Sequence, residues 1–424
     1  MSGAHSLHLT ETERGMLAGD DGPAAALAMR ILTRVAPLYG ANRFIEVTKA
    51  HIDGIVYEGN AGLAFAERLA DLGGRVRVPT SLNVMSMDRT NWRALGQDPQ
   101  FADNAYRLGM AYVRMGAVPG FTCAPYHTEA TPVFGEQIAW SESNAVAYAN
   151  SVIGARTNRY GDYLDISCAL TGRVPASGLH LTEHRKGTHH FRLAGISRAL
   201  QERDDFYPVL GYLLGQSVSS GVPVIDGLDV DPTSDQLKAL AAAAASSGAI
   251  ALFHIVGVTP EAPDLHQAFQ GEQPSKSVLV TPEQLRAVRK TLSTATSADV
   301  DVVAFGSPHA SLRECVQLAA LMRGRHAKPG LQVYLTTSRA IKEILERTGA
   351  LHEIEDFGTS VVVDTCIAVA PLVKPGAKVL MTNSGKYAHY GPGIIGVGSI
   401  YGSTRECIEA AVSGRAAVDD SAWH

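Results

Sequence analysis

Two cysteines of this chain stand where metal chemistry would place them, after apolar runs that predict strands. Cys123 lies near the end of the stretch 117–124, and Cys366 comes three residues after the valine run 361–363. Soft thiolate ligands favour iron and iron–sulfur clusters, so both thiols are candidate ligands. Cys168 is a third candidate, although a lone free cysteine is most often a small buried hydrophobic residue. The chain has no Cys-x-x-Cys motif, so spacing alone leaves ligand and core filler both open.

A second group with chemical potential lies at 382–393, which contains Ser384, Lys386 and His389 after a predicted strand. A lysine beside glycine can hold an anionic substrate group with its ammonium and nearby backbone N–H groups. The segment lacks the upstream glycine spacing of a nucleotide-binding P-loop. The pattern therefore favours a small anionic substrate over a nucleotide.

The elements that must position these residues are clearest in the last third of the chain. Short apolar or β-branched runs at 302–305, 332–335, 360–363 and 378–381 predict strands, and helices are predicted after the first two and near 405–412. Such alternation is typical of a doubly wound parallel sheet with its chemistry at the carboxyl ends of the strands. The four segments that follow these runs are therefore expected to face one cleft.

The first third is less regular. Helical spacing predicts helices at 27–39, 61–72 and 136–154, and strands are predicted at 44–47, 76–84 and 117–124. At about 150 residues per domain the length of 424 predicts two or three domains. We divide the chain into α/β regions at 1–205, 206–300 and 301–424.

Composition excludes several classes of function. Lys and Arg number 37 against 42 Asp and Glu, so a net charge of −5 gives little attraction to nucleic acid or to anionic lipid. The apolar runs are shorter than the roughly 20 residues that cross a bilayer. Five cysteines are too few and odd in number for a disulfide framework, and residues 1–14 lack a secretory signal pattern. We therefore expect a cytoplasmic protein that binds neither membranes nor nucleic acid.

Four segments, taken together, resemble the large subunit of the aconitase X family. They are TCAPY at 122–126, the run 134–158 containing WSESN, DTC at 364–366 and NSGKYAHY at 383–390. They occur in order over most of the chain. The resemblance implies an aconitase-like multi-domain fold with a central cleft, and a dehydratase in which iron or an iron–sulfur centre held by cysteine acts as Lewis acid.

The resemblance also implies Cys123 and Cys366 as ligands, but the expected third cysteine is replaced. The family's Gly-Cys-Pro-His motif reads Gly-Ser-Pro-His here, with Ser307 in place of the thiol. Either Ser307 is an oxygen ligand, or Cys168 completes the site, or the centre is not a three-thiolate cluster. A [2Fe–2S] centre or mononuclear iron is therefore as well supported as [4Fe–4S].

The remaining site residues also rest on the resemblance. We predict Ser384, Lys386 and His389 as catalytic and Asn83, Ser86, Asn150 and Arg156 as substrate-binding. No segment resembles the small swivelling domain that supplies the catalytic serine in this superfamily, so a separate small subunit is expected as partner.

Three functions remain open. The first is dehydration of cis-3-hydroxy-L-proline to 1-pyrroline-2-carboxylate, and the second is dehydration of mevalonate 5-phosphate. The third is a non-enzymatic iron-sensing or RNA-binding relative, which the Ser307 replacement would explain but the net negative charge disfavours.

Overall fold

The computed structural model of the chain describes residues 7–218 and 221–423. Part of the polar stretch 1–14 therefore lies outside the described residues. The described chain forms α/β regions in which each main sheet is parallel. This confirms the predicted fold class.

The first region carries a short parallel sheet whose order is β3-β2-β4, and a separate antiparallel pair, β1 and β5. Its helices pack around a core of buried aliphatic side chains that includes Cys168. In chain order its elements are α1 (Glu11–Ala18), α2 (Pro23–Val35), β1 (Phe44–Glu46), β2 (Lys49–Ile52), α3 (Asn60–Asp71), β3 (Thr80–Leu82), α4 (Pro99–Arg114), β4 (Ile138–Trp140), α5 (Ser143–Tyr148), α6 (Leu164–Thr171) and β5 (Arg173–Pro175).

The middle region is a parallel sheet of order β8-β7-β6-β9. Two apolar helices, α8 and α9, pack against each other and contribute many residues to its core. Its elements are β6 (His189–Leu193), α7 (Arg198–Gln201), α8 (Phe206–Ser217), β7 (Pro223–Asp226), α9 (Ser234–Gly248), β8 (His254–Ile255), α10 (Leu265–Ala268), β9 (Lys276–Val280) and α11 (Pro282–Thr291).

The last region is a five-stranded parallel sheet of order β12-β11-β10-β13-β14. Several of its helices begin at serine caps, such as Ser311 and Ser403, whose side chains accept a first-turn N–H. Its elements are β10 (Val302–Ala310), α12 (Leu312–Met322), β11 (Gln332–Thr337), α13 (Arg339–Thr348), α14 (Ala350–Asp356), β12 (Thr359–Val363), β13 (Val379–Thr382), α15 (Gly385–Tyr390), β14 (Gly398–Tyr401) and α16 (Thr404–Ser413).

Several predictions for the first region are wrong. The helix predicted at 136–154 begins with the buried strand β4, and only then does α5 start, capped by Glu142 and continued by a π-helical turn, Ala149–Ile153. The strand predicted at 117–124 reduces to a single bridge between Val118 and Ser81. Pro119 and Gly120 interrupt that run, and neither residue suits a central strand. Of the strand predicted at 76–84, only β3 pairs with a neighbour.

The segment Gly306–His309 does not follow strand β10 as predicted but forms part of it. The register against β11 shifts between Phe305 and Ala310, so the four residues between them form a bulge. A bulge redirects side chains at the end of a strand. This one brings His309 to the loop that contains Cys123.

None of the described helices combines the length and the apolarity needed to cross a bilayer.

Candidate active site

The carboxyl ends of the first and last sheets meet. The N–H of Met85, just after β3, donates to the carbonyl of Asp364, just after β12, at 2.9 Å. In the reverse direction, the N–H of Val363 donates to the Asp88 carboxylate at 3.2 Å. Asp364 also accepts from Arg89 and Arg339, and its side chain is completely buried. These contacts align the two sets of strand ends on one site.

His309 ties the two cysteine loops together. Its backbone N–H donates to the Sγ of Cys123 at 3.2 Å, and its ring nitrogen Nε2 lies 3.1 Å from the carbonyl of Thr365. Because that carbonyl only accepts, Nε2 carries the proton, and Nδ1 accepts from the Thr122 hydroxyl at 3.1 Å. Burial lowers the pKa of His309 to about 4, so the ring is neutral and is fixed in one tautomer.

Cys123 and Cys366 are linked through His309, which contacts Cys123 and Thr365, the residue before Cys366. The pKa of Cys123 is raised to about 12, first by burial and then by the negative charges of Glu142 and Cys366. Lys386 and the His309 N–H act in the opposite direction and lower it. Burial also raises the pKa of Cys366, against the N–H groups of Ala368 and Val369 and the charge of Lys386. The free thiols are therefore protonated at neutral pH, and a metal ion would have to displace both protons.

Glu142 and Lys386 form a buried ion pair beside these thiols. The Lys386 ammonium lies 2.5 Å from one carboxylate oxygen of Glu142. The other oxygen accepts the N–H of Ala145 at 2.8 Å, which caps α5. Burial alone would raise the pKa of Glu142, but Lys386 and these hydrogen bonds hold it below its ordinary value. Burial lowers the pKa of Lys386, but Glu142 and Cys123 together raise it above its ordinary value. The pair is therefore charged at neutral pH.

The ends of β2, β3 and β4 add a polar wall to the site. Asp53, Asn83 and Ser141 follow these three strands directly. The Oδ1 atom of Asn83, the Oγ atom of Ser141 and the Nε2 atom of His51 are buried without a hydrogen-bond partner among the described residues. Buried polar atoms are rarely left unpaired unless a ligand or water meets them. These atoms therefore indicate a polar binding surface.

The donor set fits iron held by two thiolates. Among the described residues, no three His, Cys, Asp or Glu side chains are grouped to hold a metal ion. Cys168 does not join the pair, because it is fully buried in the core of the first region, and we no longer propose it as a ligand. Ser307 lies on the β10 bulge two residues before His309 and lines a cleft whose described walls include neither thiol, so its role as a ligand stays a prediction.

Ser307 and Ser384 line a small cleft of about 80 Å³ that opens to solvent, together with Asp235, Lys238 and Glu314. Ser384 caps α15 by accepting the Tyr387 N–H at 3.1 Å, and it donates to the carbonyl of Ser307 at 2.5 Å. Its hydroxyl therefore fixes the bulge relative to α15.

The structure does not bring the other predicted residues to the thiols. Asn150 donates to the carbonyls of Thr157 and Ala251 and accepts from Thr157 and Arg185, so its amide has nothing left for a substrate carboxylate. Arg156 bonds Thr182 and the carbonyl of His180.

The Nδ1 atom of His389 lies 3.1 Å from the hydroxyl oxygen of Tyr212. Ser86 is buried and accepts the N–H of Tyr57. Asn83 alone of the predicted substrate-binding residues keeps a free acceptor.

Sequence reasoning missed Asp53 and Glu142. Glu142 was hidden because the run around it reads as helix, and Glu is not a residue that usually marks an N-cap. Asp53 was missed because the strand predicted at 44–47 stops short of β2, the strand that Asp53 follows.

Family models match nearly all of this chain. They are described as the aconitase X first domain at residues 6–183, second domain at 187–290 and third domain at 300–413. The chain belongs to the aconitase X family. A crystal structure of aconitase X from Thermococcus kodakaraensis in its holo-form matches with a TM-score of 0.85 at 33% identity, over 96% of this chain and 100% of that one.

Curated relatives of this aconitase X chain are named as dehydratases. The cis-3-hydroxy-L-proline dehydratase of Pseudomonas aeruginosa is 47% identical over 97% of this chain and 71% of its own length. The protein of the same name from Hypocrea jecorina is 43% identical, over 96% and 69%. The phosphomevalonate dehydratase large subunit of Methanothermobacter thermautotrophicus is 38% identical, over 95% and 98%. These matches confirm the predicted family and the predicted hydro-lyase class.

Proposed function

We propose that this chain is the large catalytic subunit of an iron-dependent hydro-lyase that dehydrates cis-3-hydroxy-L-proline. The reaction removes the proton at C2 and the hydroxyl at C3 as water, and the resulting enamine tautomerises to 1-pyrroline-2-carboxylate. The observation that carries the proposal is that His309 contacts both Cys123 and the residue before Cys366, beside the buried Glu142–Lys386 ion pair. Supporting it are two relatives named for this reaction at 47% and 43% identity.

Cys123 and Cys366 would hold the iron or iron–sulfur centre, with Ser307 as the third donor from this chain. When bound, such a centre supplies Lewis acidity for the departing hydroxyl. Lys386 donates one of its three N–H groups to Glu142. The other two have no partner among the described residues, so they can orient a substrate carboxylate while Glu142 holds the ammonium in place.

The proton at C2 needs a base. We propose that a small subunit supplies it as a serine, since several relatives are named as large subunits and match this chain over almost their whole length. The two relatives named cis-3-hydroxy-L-proline dehydratase are longer than this chain, which spans 71% and 69% of their lengths. We also propose a cytoplasmic location, because all five cysteines are free thiols.

Mevalonate 5-phosphate is the second candidate substrate, because five relatives are named phosphomevalonate dehydratase large subunits. A phosphate calls for converging cationic groups. In the described part of the site, however, Lys386 is paired with Glu142, and Arg89 and Arg339 are paired with Asp364. The charge balance therefore favours the amino acid.

The test is an anaerobic assay of both substrates side by side, with the chain alone and with its small subunit. We expect brown protein and turnover of hydroxyproline by the complex but not by the chain alone. Turnover of mevalonate 5-phosphate in place of hydroxyproline would contradict the substrate. Full activity of a colourless, iron-free complex would contradict the metal.

A further inference from the structure

Asp53 is a carboxylate at the site with no cationic partner. It follows β2, and its backbone N–H and that of Gly54 donate to the Asp165 carboxylate at 2.8 and 3.0 Å, which fixes the turn. The Asp53 side chain accepts from the amide nitrogen of Asn83. No Lys, Arg or His of the described chain forms an ion pair with it, although it is half-buried and a carboxylate partly removed from water is usually paired.

Asn83, which follows the neighbouring strand β3, also carries an acceptor without a described partner. Its amide nitrogen is used by Asp53, and its Oδ1 atom is buried and unpaired among the described residues. The second carboxylate oxygen of Asp53 and the Oδ1 atom of Asn83 thus have no donor assigned to them in the described chain. Lys386 is already paired with Glu142.

We propose that Asp53 and Asn83 form the subsite for the ring nitrogen of the substrate, a secondary ammonium that donates one N–H to each of them. The inference rests on the proposed function and adds to it the feature that separates an amino acid from a phosphate ester. A secondary ammonium carries one positive charge and two N–H donors, which match one carboxylate and one amide oxygen.

The surroundings of Asp53 favour a cationic ligand. Burial and the carboxylates Glu142 and Asp162 raise the pKa of Asp53 to about 7, against the Asn83 hydrogen bond. A bound ammonium would relieve this repulsion, whereas a phosphate would add to it. The same pair would therefore select for the amine and against a phosphorylated hydroxy acid.

The test compares two ligands that differ only at the ring heteroatom, L-proline and (S)-tetrahydrofuran-2-carboxylate. Binding is measured by calorimetric titration of the iron-loaded complex with its small subunit, beside turnover of cis-3-hydroxy-L-proline. We expect the wild type to bind the amine at least 30-fold more tightly than the ether. Asp53→Asn should reduce that preference below threefold, and Asn83→Ser should give an intermediate value.

Asp103→Asn is the matched control, because Asp103 is exposed on α4 and is not among the charges that act on Asp53. It should keep the amine preference within twofold of the wild type. A wild type that turns over hydroxyproline, with an unchanged preference in folded Asp53→Asn and in Asn83→Ser, would overturn the subsite and leave the function standing. A wild type that turns over only mevalonate 5-phosphate would overturn both.

Discussion

Lys386 and Glu142 form a buried ion pair across the two halves of the site, with 2.5 Å between Nζ and Oε1. Glu142 follows β4 of the first sheet, and Lys386 lies in the first turn of α15 after β13 of the last sheet. The contact therefore links strand ends that are 244 residues apart in sequence. The Glu142 side chain is 5% exposed and that of Lys386 is 14% exposed. The pair therefore holds the two strand ends together and also places two opposite charges in the site.

Breaking this pair should cost stability and activity together. Lys386→Met leaves Glu142 buried without a cation, and we expect the free energy of unfolding to fall by about 3 kcal/mol. Lys290→Met is the control, because Lys290 is exposed at the end of α11. Adding Glu142→Gln to Lys386→Met should restore part of the stability but no activity. Equal free energies of unfolding for Lys386→Met and Lys290→Met, measured by denaturant unfolding, would contradict the account.

Asp364 should matter through the arginines it holds. Its buried carboxylate accepts from Arg89 at 2.9 Å and from Arg339, and both guanidiniums are partly exposed, at 25% and 30%. Asp364→Asn keeps the shape but removes the charge. We expect a loss of about 2 kcal/mol, less than for a fully buried pair, because solvent screens the arginines. The exposed Asp356→Asn is the control, and equal melting temperatures of the two variants would count against the role of Asp364.

Asp53 should make stability depend on pH. Its pKa is raised in the folded protein, by burial first and then by Glu142 and Asp162. A carboxyl group with a raised pKa costs nothing while it is protonated in both states and destabilises the fold as pH rises toward the folded value. Relative to Asp53→Asn, the wild type should therefore lose stability between pH 4 and about 7. The groups around it, Glu142, Asp162 and Asp165, stay in both proteins, so the difference isolates Asp53. A constant difference across this range would show that Asp53 is not perturbed.

The last sheet was predictable because its strands are buried on both faces. Runs such as 360–363 and 378–381 are continuous and mostly β-branched or apolar. The observed strand β12 begins one residue earlier than predicted, and β13 is shifted by one residue at both ends. The run at 136–154 failed because Ile138–Trp140 is too short for its period to separate strand from helix. The division at 1–205, 206–300 and 301–424 stays a prediction.

The thiols stand out in the sequence, and their role as ligands stays a prediction, whereas the structure shows that most of the predicted substrate-binding residues already have partners within the fold. Asn150 and Arg156 stand in a strongly family-like run, yet their hydrogen bonds hold the first region to the segments around 180 and 251. A sequence shows which polar residues are present, but not which of them are already satisfied within the fold. Asn83 differs because its acceptor is left unpaired in the described structure.

The measurement that tests the central claim most directly is the iron content of cysteine variants, purified without oxygen and reconstituted under identical conditions. Cys123→Ala and Cys366→Ala should each retain less than about one tenth of the wild-type iron, because two thiolates are the main anchors of the centre. Cys168→Ala should retain all of it, since that thiol lies in the core of the first region. Full iron content in Cys123→Ala and Cys366→Ala, or its loss only in Cys168→Ala, would contradict the account.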